Sequence, residues 1–404
     1  MKHLLSAAAM VAAAPACAQS LTLKPLVDAR VRYETVEQDG IASDADALTF
    51  RLRAGVEASA GPFSATVEAQ GNLAGIDSYF DGLHPDPTRP LVADPENIAL
   101  YRAQLRYAAT GFALTAGRQR IALDDERFVG PVAFRNNAQS FDAVRAEVAI
   151  APRLKADVSY VWSVRTIWGV EGRGARPQAI PGDNLLANLS YASPVGTLTG
   201  FAYLVDQDAA AVQGFRLSSQ TYGARLAGSH AFSPKVKLGY QASWALQSDH
   251  HRNPNNYRAG YYLIDAGLDL SRLRIGGGYE VLGAAAGKAA GQPLTSFQTP
   301  LATLFKFQGW ADKFLLTPPD GVRDLYGSAG YALGTGTPLG TVTLQAVFHR
   351  FDSDRRVRRY GNEIDLLASA RLRRTTLSVR YAGYDADAFA TDTRKLWLQA
   401  DWTL

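Results

Sequence analysis

Arginines recur at every second residue in several short segments of the chain. Arg30 and Arg32 form one such pair, and Arg51 and Arg53 form another. A guanidinium binds a carboxylate through two parallel hydrogen bonds and keeps its charge at any physiological pH. Residues two apart in an extended strand point to the same side. The spacing therefore predicts rows of fixed cations on one face of β-strands.

Other arginines fit the same polar face, and together they are candidate anion-binding residues. The basic residues read from alternation are Arg30, Arg32, Arg51, Arg53, Arg102, Arg106, Arg118, Arg120, Arg145, Lys155, Arg165, Arg225, Lys237, Arg272, Arg274, Arg371, Arg373 and Arg380. Arg118 shares its parity with Phe112 and Leu114, so its place in the set requires a bulge, which we expect at Gly117. Basic residues outnumber acids on this face. The alternative is that arginines and acids pair across strands and merely stiffen a wall.

The elements that carry these rows alternate apolar and polar residues with a period of two. From Phe50 to Ala58, apolar side chains alternate with Arg51, Arg53, Gly55 and Glu57. Such alternation gives a strand one dry face and one wet face. We predict strands near residues 24–36, 47–58, 63–75, 98–108, 112–122, 140–150, 153–166, 183–192, 196–206, 217–231, 235–248, 258–270, 272–282, 322–333, 339–351, 362–373, 375–386 and 394–404.

The connections between these strands alternate short and long. The short ones carry turn residues, such as Gly61-Pro62 and Ser193-Pro194. Short periplasmic turns and long extracellular loops are typical of outer-membrane barrels. We therefore predict an all-β protein, a single transmembrane antiparallel β-barrel of about 18 strands. Its apolar face would meet lipid, with aromatic girdles that include Tyr101 and Trp162, and its basic face would line the lumen.

The N-terminus is predicted to be a cleaved signal peptide, residues 1–18, which leaves residues 19–404 as the barrel. Lys2 supplies the positive charge, a short apolar core follows, and Ala16-Cys17-Ala18 provides the small-residue cleavage site. Lipidation at Cys17 is the alternative. No later apolar run approaches the roughly 20 residues of a membrane helix. The expected location is the Gram-negative outer membrane.

One long connection, residues 283–321, combines aromatic and charged residues. Trp310, Asp312 and Lys313 are its candidate constriction residues. They suit stacking on sugar rings together with carboxylate pairing, and they equally suit a loop folded into the barrel as a plug. Long unstructured loops are usually functional.

Two blocks resemble the alginate-export family of outer-membrane porins. One runs from Gly117 to Asp124 and continues through Arg127-Phe128-Val129-Gly130 and Gln139–Asp142; the other is Phe307–Phe314 with the later Pro318-Pro319-Asp320-Gly321. The resemblance implies a monomeric 18-stranded barrel with an arginine-rich constriction for a polyuronate. By match it adds Arg127 and Arg135 to the channel residues, beside Arg118 and Arg120, and makes Asp142 and Asp312 structural partners of arginines.

Passive transport of an anionic solute is therefore the expected function, with uronate polysaccharide export as its narrower form. The expected partners are membrane lipid and lipopolysaccharide, an anionic carbohydrate or small carboxylate, and periplasmic export proteins. A barrel enzyme and a non-conducting adhesive barrel are the alternatives. The one cluster that suggests catalysis is His250-His251 beside Asp249. It lacks metal-ligand spacing, which speaks against an enzyme. We expect no cofactor, and a net charge of +4 indicates no nucleic-acid partner.

Overall fold

The computed structural model describes residues 20–208, 214–286, 295–334, 336 and 340–404, so the predicted signal peptide lies outside the described residues. Eighteen strands follow one another along the chain, as predicted. They are β1 (Thr22–Gln38), β2 (Ala45–Ala60), β3 (Phe63–Ser78), β4 (Asn97–Ala109), β5 (Phe112–Gln119), β6 (Ser140–Ala151), β7 (Leu154–Arg165), β8 (Ala179–Ser193), β9 (Gly196–Val205), β10 (Ser219–Ser233), β11 (Val236–Asp249), β12 (Arg258–Leu270), β13 (Leu273–Leu282), β14 (Val322–Gly334), β15 (Thr341–Asp352), β16 (Arg359–Leu372), β17 (Thr375–Ala386) and β18 (Thr393–Thr403).

The sheet closes on itself because β1 pairs with both β2 and β18. Each strand is antiparallel to its sequence neighbours, and Arg30 shows the closure directly, with Arg51 opposite it on one side and Asp401 on the other. A closed barrel satisfies every backbone group in the wall and leaves no edge strand. The only helical segments among the described residues are α1 (Gly214–Leu217) and a 3-10 turn (Leu304–Lys306). No helix in that part of the chain is long and apolar enough to span a membrane.

The wall has an apolar outer face and a polar inner face. On β2, Leu52 is 52% exposed whereas its neighbour Arg51 is 3% exposed. Large apolar side chains such as Val31, Phe50 and Leu105 are likewise exposed, at positions that alternate with buried polar ones. Exposed aliphatic residues over a whole sheet face are stable when lipid covers that face.

One aromatic residue that we expected in the outer girdle lies inside the barrel. The pairing of β3 with β4 shifts between Glu68 and Ala69, and Tyr101 is the extra residue at that bulge. Its side chain is buried, and the guanidinium of Arg53 lies 4.5 Å from its ring centre. The prediction for Tyr101 is therefore wrong, because a bulge reverses the facing of the residues beyond it.

The bulge expected at Gly117 is absent. β5 pairs with β4 and β6 without a shift of register, although Gly117 itself has a φ of +109°. Arg118 consequently stays in alternation with Phe112 and Leu114, which are exposed. The strand places Arg118 on the outer face of the wall and not in the lumen.

Two long connections fold into the barrel and create an apolar cluster inside it. Loop A is residues 120–139, between β5 and β6, and loop B is residues 295–321, before β14. Phe128 of loop A packs on Phe201 and Tyr261 of the wall and on Phe297 of loop B. Buried aromatic contacts of this kind fix the loops in place. Of the two interpretations of the long connection, the structure supports an inward-folded plug.

Candidate functional site: the arginine wall and the constriction

The inner faces of β1, β2, β17 and β18 form a continuous basic wall. Arg30 and Arg51 are cross-strand partners, and Arg32, Arg53 and Arg380 lie above and beside them on the same inner surface. The positions follow from alternation, since Arg30 and Arg32 are two residues apart, as are Arg51 and Arg53. We call these five residues the arginine wall.

Three of these arginines are neutralised by acids. Arg30 Nε donates to Asp401 Oδ1 over 2.7 Å, and Arg51 pairs with Asp28. Arg32 is 1% exposed and donates to Asp94 Oδ2 over 3.1 Å. A fully buried ion pair of this kind fixes structure and is not available to a solute.

The other two, Arg53 and Arg380, together with Arg120 of loop A, have no carboxylate within 4.0 Å among the described residues. We call these three the open arginines. Arg53 donates instead to the side-chain oxygen of Gln70 and to the carbonyl of Asn136. Arg120 is exposed and lies near enough to Arg53 for the two charges to repel.

Arg380 lies beside one aromatic ring of loop A and one of loop B, and we call the place where the two loops meet inside the barrel the constriction. Its guanidinium carbon is 5.5 Å from the Phe134 ring centre and 5.9 Å from that of Trp310. Phe134 also stacks on Phe305 of loop B. The three loop side chains and Arg380 form part of the lining of a cavity of about 890 Å³ inside the barrel. The arrangement offers an uncompensated cation beside flat apolar faces.

Loop A is held against the arginine wall through its backbone. The Phe134 carbonyl accepts hydrogen bonds from Arg30 Nη1 at 2.7 Å and from Arg32 Nη2 at 2.6 Å. Charge-assisted bonds to a backbone carbonyl position the loop strongly. The arginine wall therefore shapes the constriction as well as lining it.

Loop A and loop B are joined by a buried ion cluster. Arg135 Nη2 lies 2.6 Å from Asp312 Oδ2, and Lys395 Nζ of β18 lies 3.0 Å from the same oxygen. Burial opposes ionisation of this carboxyl, but the charges of Arg135 and Lys395 outweigh burial and hold the pKa of Asp312 below its ordinary value. Asp312 therefore partners an arginine, as the resemblance implies.

The turn that presents Trp310 is held by acids of β16. The amide of Ala311 donates to Glu363 over 2.6 Å, and the amide of Trp310 donates to Asp365 over 3.2 Å. Gln308 and Gly309 both have positive φ, at 57° and 80°. Alternation along β16 puts Glu363 and Asp365 on the polar face, but nothing in the sequence marks them as anchors of loop B.

Arg127 and Lys313 take different positions in the loops. Arg127 is buried, donates to Glu280 over 2.6 Å and shares that acid with the Tyr261 hydroxyl, so it anchors loop A to β13. Lys313 is half-buried, 6.0 Å from the Tyr384 ring centre. Burial and the nearby charge of Lys395 lower the pKa of Lys313 to about 8.

The remaining candidates pair across strands in the wall. Arg102 bonds Glu68 over 2.6 Å, Arg106 bonds Glu147 over 2.6 Å, and Arg145 pairs with Asp157. For these positions the geometry is that of a stiffened wall, the alternative considered above. Arg118 and Arg165 both contact Asp142, on the outer face.

The histidine cluster does not form a catalytic arrangement. His251 pairs with Asp206 over 2.7 Å, whereas Asp249 accepts a hydrogen bond from the Tyr257 amide. No group of three or more possible metal ligands occurs among the residues that the structure describes.

Comparison with known proteins identifies the class of barrel. Residues 27–168 match the family model described as alginate export. The structure is similar to Acinetobacter baumannii OccAB3, with a TM-score of 0.69, 14% identity, and coverage of 95% of this chain and 99% of that one. It is also similar to Pseudomonas aeruginosa OpdK with vanillate, with a TM-score of 0.66, 10% identity, and coverage of 94% and 98%. No curated protein matches the sequence. The resemblance to the alginate-export family is confirmed over the matched segment, and the chain has the fold of outer-membrane porins.

Proposed function

We propose that this outer-membrane barrel, similar to the alginate-export family over residues 27–168, is a passive channel for solutes that carry carboxylates. The inner passage runs past the arginine wall. The observation that carries the proposal is that the three open arginines are not balanced by acids. Arg380 is half-buried and Arg120 is exposed, so each can hold a carboxylate through two hydrogen bonds, whereas the buried Arg53 contributes its positive charge alone.

The placement of the open arginines suits conduction of a solute and not its tight binding. Arg120 lies close to Arg53, and Arg380 lies beside Phe134 and Trp310, so the open arginines do not form one enclosing site. Conduction requires sites favourable enough for entry and weak enough for exit. Sites that do not enclose the solute meet both requirements.

The aromatic rings beside Arg380 favour solutes with a flat or ring-shaped body. Trp310 is half-buried beside Arg380, so a sugar ring can pack on it while its carboxylate meets the guanidinium, whereas Phe134 is covered by Phe305 on one face and by Arg32 on the other. A uronate unit has both parts. Together with the matched family, this supports export of a uronate polysaccharide as the narrower form of the proposal, in a monomeric barrel delivered by its signal peptide.

Planar-bilayer recording tests the proposal. The variant R53Q/R120Q/R380Q removes the open arginines, and we expect the anion-to-cation permeability ratio to fall by at least about fivefold, because a nearby unit charge changes local ion concentration by this order. The control R102Q/R106Q/R145Q removes the same net charge from paired wall positions. We expect it to change the ratio much less.

Two results contradict the proposal. A folded barrel that shows no open-channel conductance favours the adhesive or enzymatic alternatives. An equal loss of selectivity in both triple variants means that overall charge, and not the open arginines, sets permeation.

Oligouronates of increasing length, added to one side of the bilayer, distinguish transport of small carboxylates from transport of a polymer. A long oligomer that enters the channel supports polymer transport, and one that only blocks the current supports transport of small carboxylates.

A further inference from the structure

Three charged side chains form a cluster on the outer face of the barrel. Arg118 Nε lies 2.7 Å from Asp142 Oδ1, and Arg118 Nη2 lies 3.1 Å from Asp142 Oδ2. Arg165 Nε lies 3.0 Å from the same Oδ2. We call these three residues the outer cluster. They come from β5, β6 and β7, which are consecutive strands of the wall.

The strand register establishes that the cluster faces outward. Directly opposed residues of antiparallel strands share a face. Val67, Ala103, Arg118 and Asp142 are successive cross-strand partners, and Val67 is an exposed apolar residue of the outer face. A charge on the lipid-facing side of a barrel is costly at mid-membrane and nearly free at the interface. The outer cluster must therefore lie at an interface.

The level of the cluster is the long-loop end of the barrel. β5 ends at Gln119, directly after Arg118, and β7 ends at Arg165 itself. Trp162 lies beside the cluster on β7 and is 40% exposed, as is typical of an aromatic girdle. In an outer membrane the long loops face the cell surface. The cluster thus lies on the outer-leaflet side of the wall.

The outer cluster has one acid for two guanidiniums and carries one net positive charge. Arg118 uses its remaining Nη1 to donate to the Leu100 carbonyl. Arg165 has only its Nε bonded to Asp142, its side chain is 30% exposed, and its terminal nitrogens have no acceptor among the described residues. These nitrogens form the free half of a fork that matches carboxylate and phosphate geometry.

Another arginine on the outer face, Arg394, has its charge balanced by an acid. Arg394 of β18 alternates with the exposed Leu398 and pairs with Asp385 of β17. It also lies near the long-loop end, where β18 begins. Here one acid serves one arginine, so no cation remains to be compensated. The outer cluster differs from this pair in its surplus guanidinium.

We propose that the outer cluster binds a phosphate group of lipopolysaccharide in the outer leaflet. This inference rests on the outer-membrane location but not on the channel function. The surplus charge is complementary to a phosphate monoester, and Arg165 presents two donors to it. Asp142 competes with the phosphate for both guanidiniums and keeps the affinity moderate, so that the lipid can exchange.

Native mass spectrometry of the folded full-length protein in detergent, titrated with diphosphoryl lipid A, tests the proposal. We expect R165Q to weaken lipid A binding about fivefold, the usual scale for one basic residue at a membrane surface. R394Q removes the same charge from the balanced pair and should leave binding unchanged. D142N removes the competing acid and should strengthen binding by a similar factor.

The sign of the D142N effect distinguishes a lipid site from a purely structural ion cluster. If D142N in a folded barrel binds lipid A no better than the parent, or if R165Q binds as well as R394Q, the proposal is overturned. Equal affinity for dephosphorylated lipid A or for phosphatidylglycerol overturns the assignment to lipopolysaccharide phosphate. The anion selectivity of R165Q in bilayers is measured separately, so that a negative result for lipid A binding does not contradict the channel proposal.

Discussion

Arg135 and Asp312 join two loops that are 177 residues apart in the sequence, through a contact of 2.6 Å between Nη2 and Oδ2. Both side chains are buried, and Lys395 of the wall completes the cluster. Each loop is also tied to the wall on its own, loop A through the Phe134 carbonyl and loop B through Glu363. The positions of the two loops inside the barrel therefore depend on a few polar contacts and not on the strands alone.

Replacing Asp312 should loosen the constriction. D312N leaves Arg135 and Lys395 buried without a carboxylate, and loss of one partner of a buried pair costs about 3–5 kcal/mol. We expect a folded barrel with a larger or noisier single-channel conductance and faster proteolysis of loop B. D320N removes the acid of a partly exposed pair in the same loop, with Arg355, where about 1 kcal/mol is at stake. Equal effects of the two variants would show that the buried cluster does not set the constriction.

Acid should open the same contact only at unusually low pH. The pKa of Asp312 is lower in the folded chain than its ordinary value of 3.8, because the charges of Arg135 and Lys395 outweigh the effect of burial. Ionised Asp312 therefore adds stability above the ordinary value, and this stability is lost as pH falls through the lowered pKa. We expect wild-type conductance to stay constant down to about pH 4 and to change below it. D312N should lack that step, and a wild-type step near pH 5 would contradict the assignment.

The strands of the barrel wall could be predicted from the sequence because each strand repeats one physical pattern. A period of two, with turn residues between segments, specified eighteen strands and the inward position of Arg30 and Arg51. The pattern fails where a local irregularity changes the facing of a residue. The bulge at Tyr101 turned an expected girdle residue inward, and the regular register at Gly117 kept Arg118 outside. Nothing in the alternation of β4 or β5 marks which strand has the extra residue.

The constriction was less predictable because its contacts are remote in sequence. Alternation along β1 predicts that Arg32 faces the lumen. Its side chain is nevertheless buried, because loop A and Asp94 cover it. Arg127 reaches Glu280 across 153 residues. Alternation shows which face a side chain occupies, but whether an inward residue meets water or a folded loop depends on loop packing.

Titration of Lys313 should change selectivity near neutral pH. Its pKa is lowered to about 8 by burial and by the charge of Lys395, so the side chain is charged at pH 7 and neutral at pH 9. We expect the anion-to-cation permeability ratio of the wild type to fall between these pH values, because a cation of the constriction is lost. K313R keeps its charge throughout and should abolish the fall. A fall of the same size in K313R would assign the titration to another group.

Gly309 is a position at which a single methyl group should disturb the constriction. Its φ is +80°, and a Cβ there would overlap the carboxylate of Glu363, which accepts the Ala311 amide. Gly40 has a similar φ of +82°, but a Cβ there meets no atom within 4 Å. Both G309A and G40A carry the backbone strain of a non-glycine residue at positive φ, on the order of 1 kcal/mol or more.

Only G309A should also displace the turn that carries Trp310. We expect G309A to raise single-channel conductance and to increase the accessibility of the Trp310 side chain to an aqueous fluorescence quencher, whereas G40A should leave both unchanged. The comparison removes backbone strain as an explanation, since both variants have it. If G309A conducts like G40A and its tryptophan fluorescence is quenched no further, the contact between Gly309 and Glu363 does not determine the width of the channel.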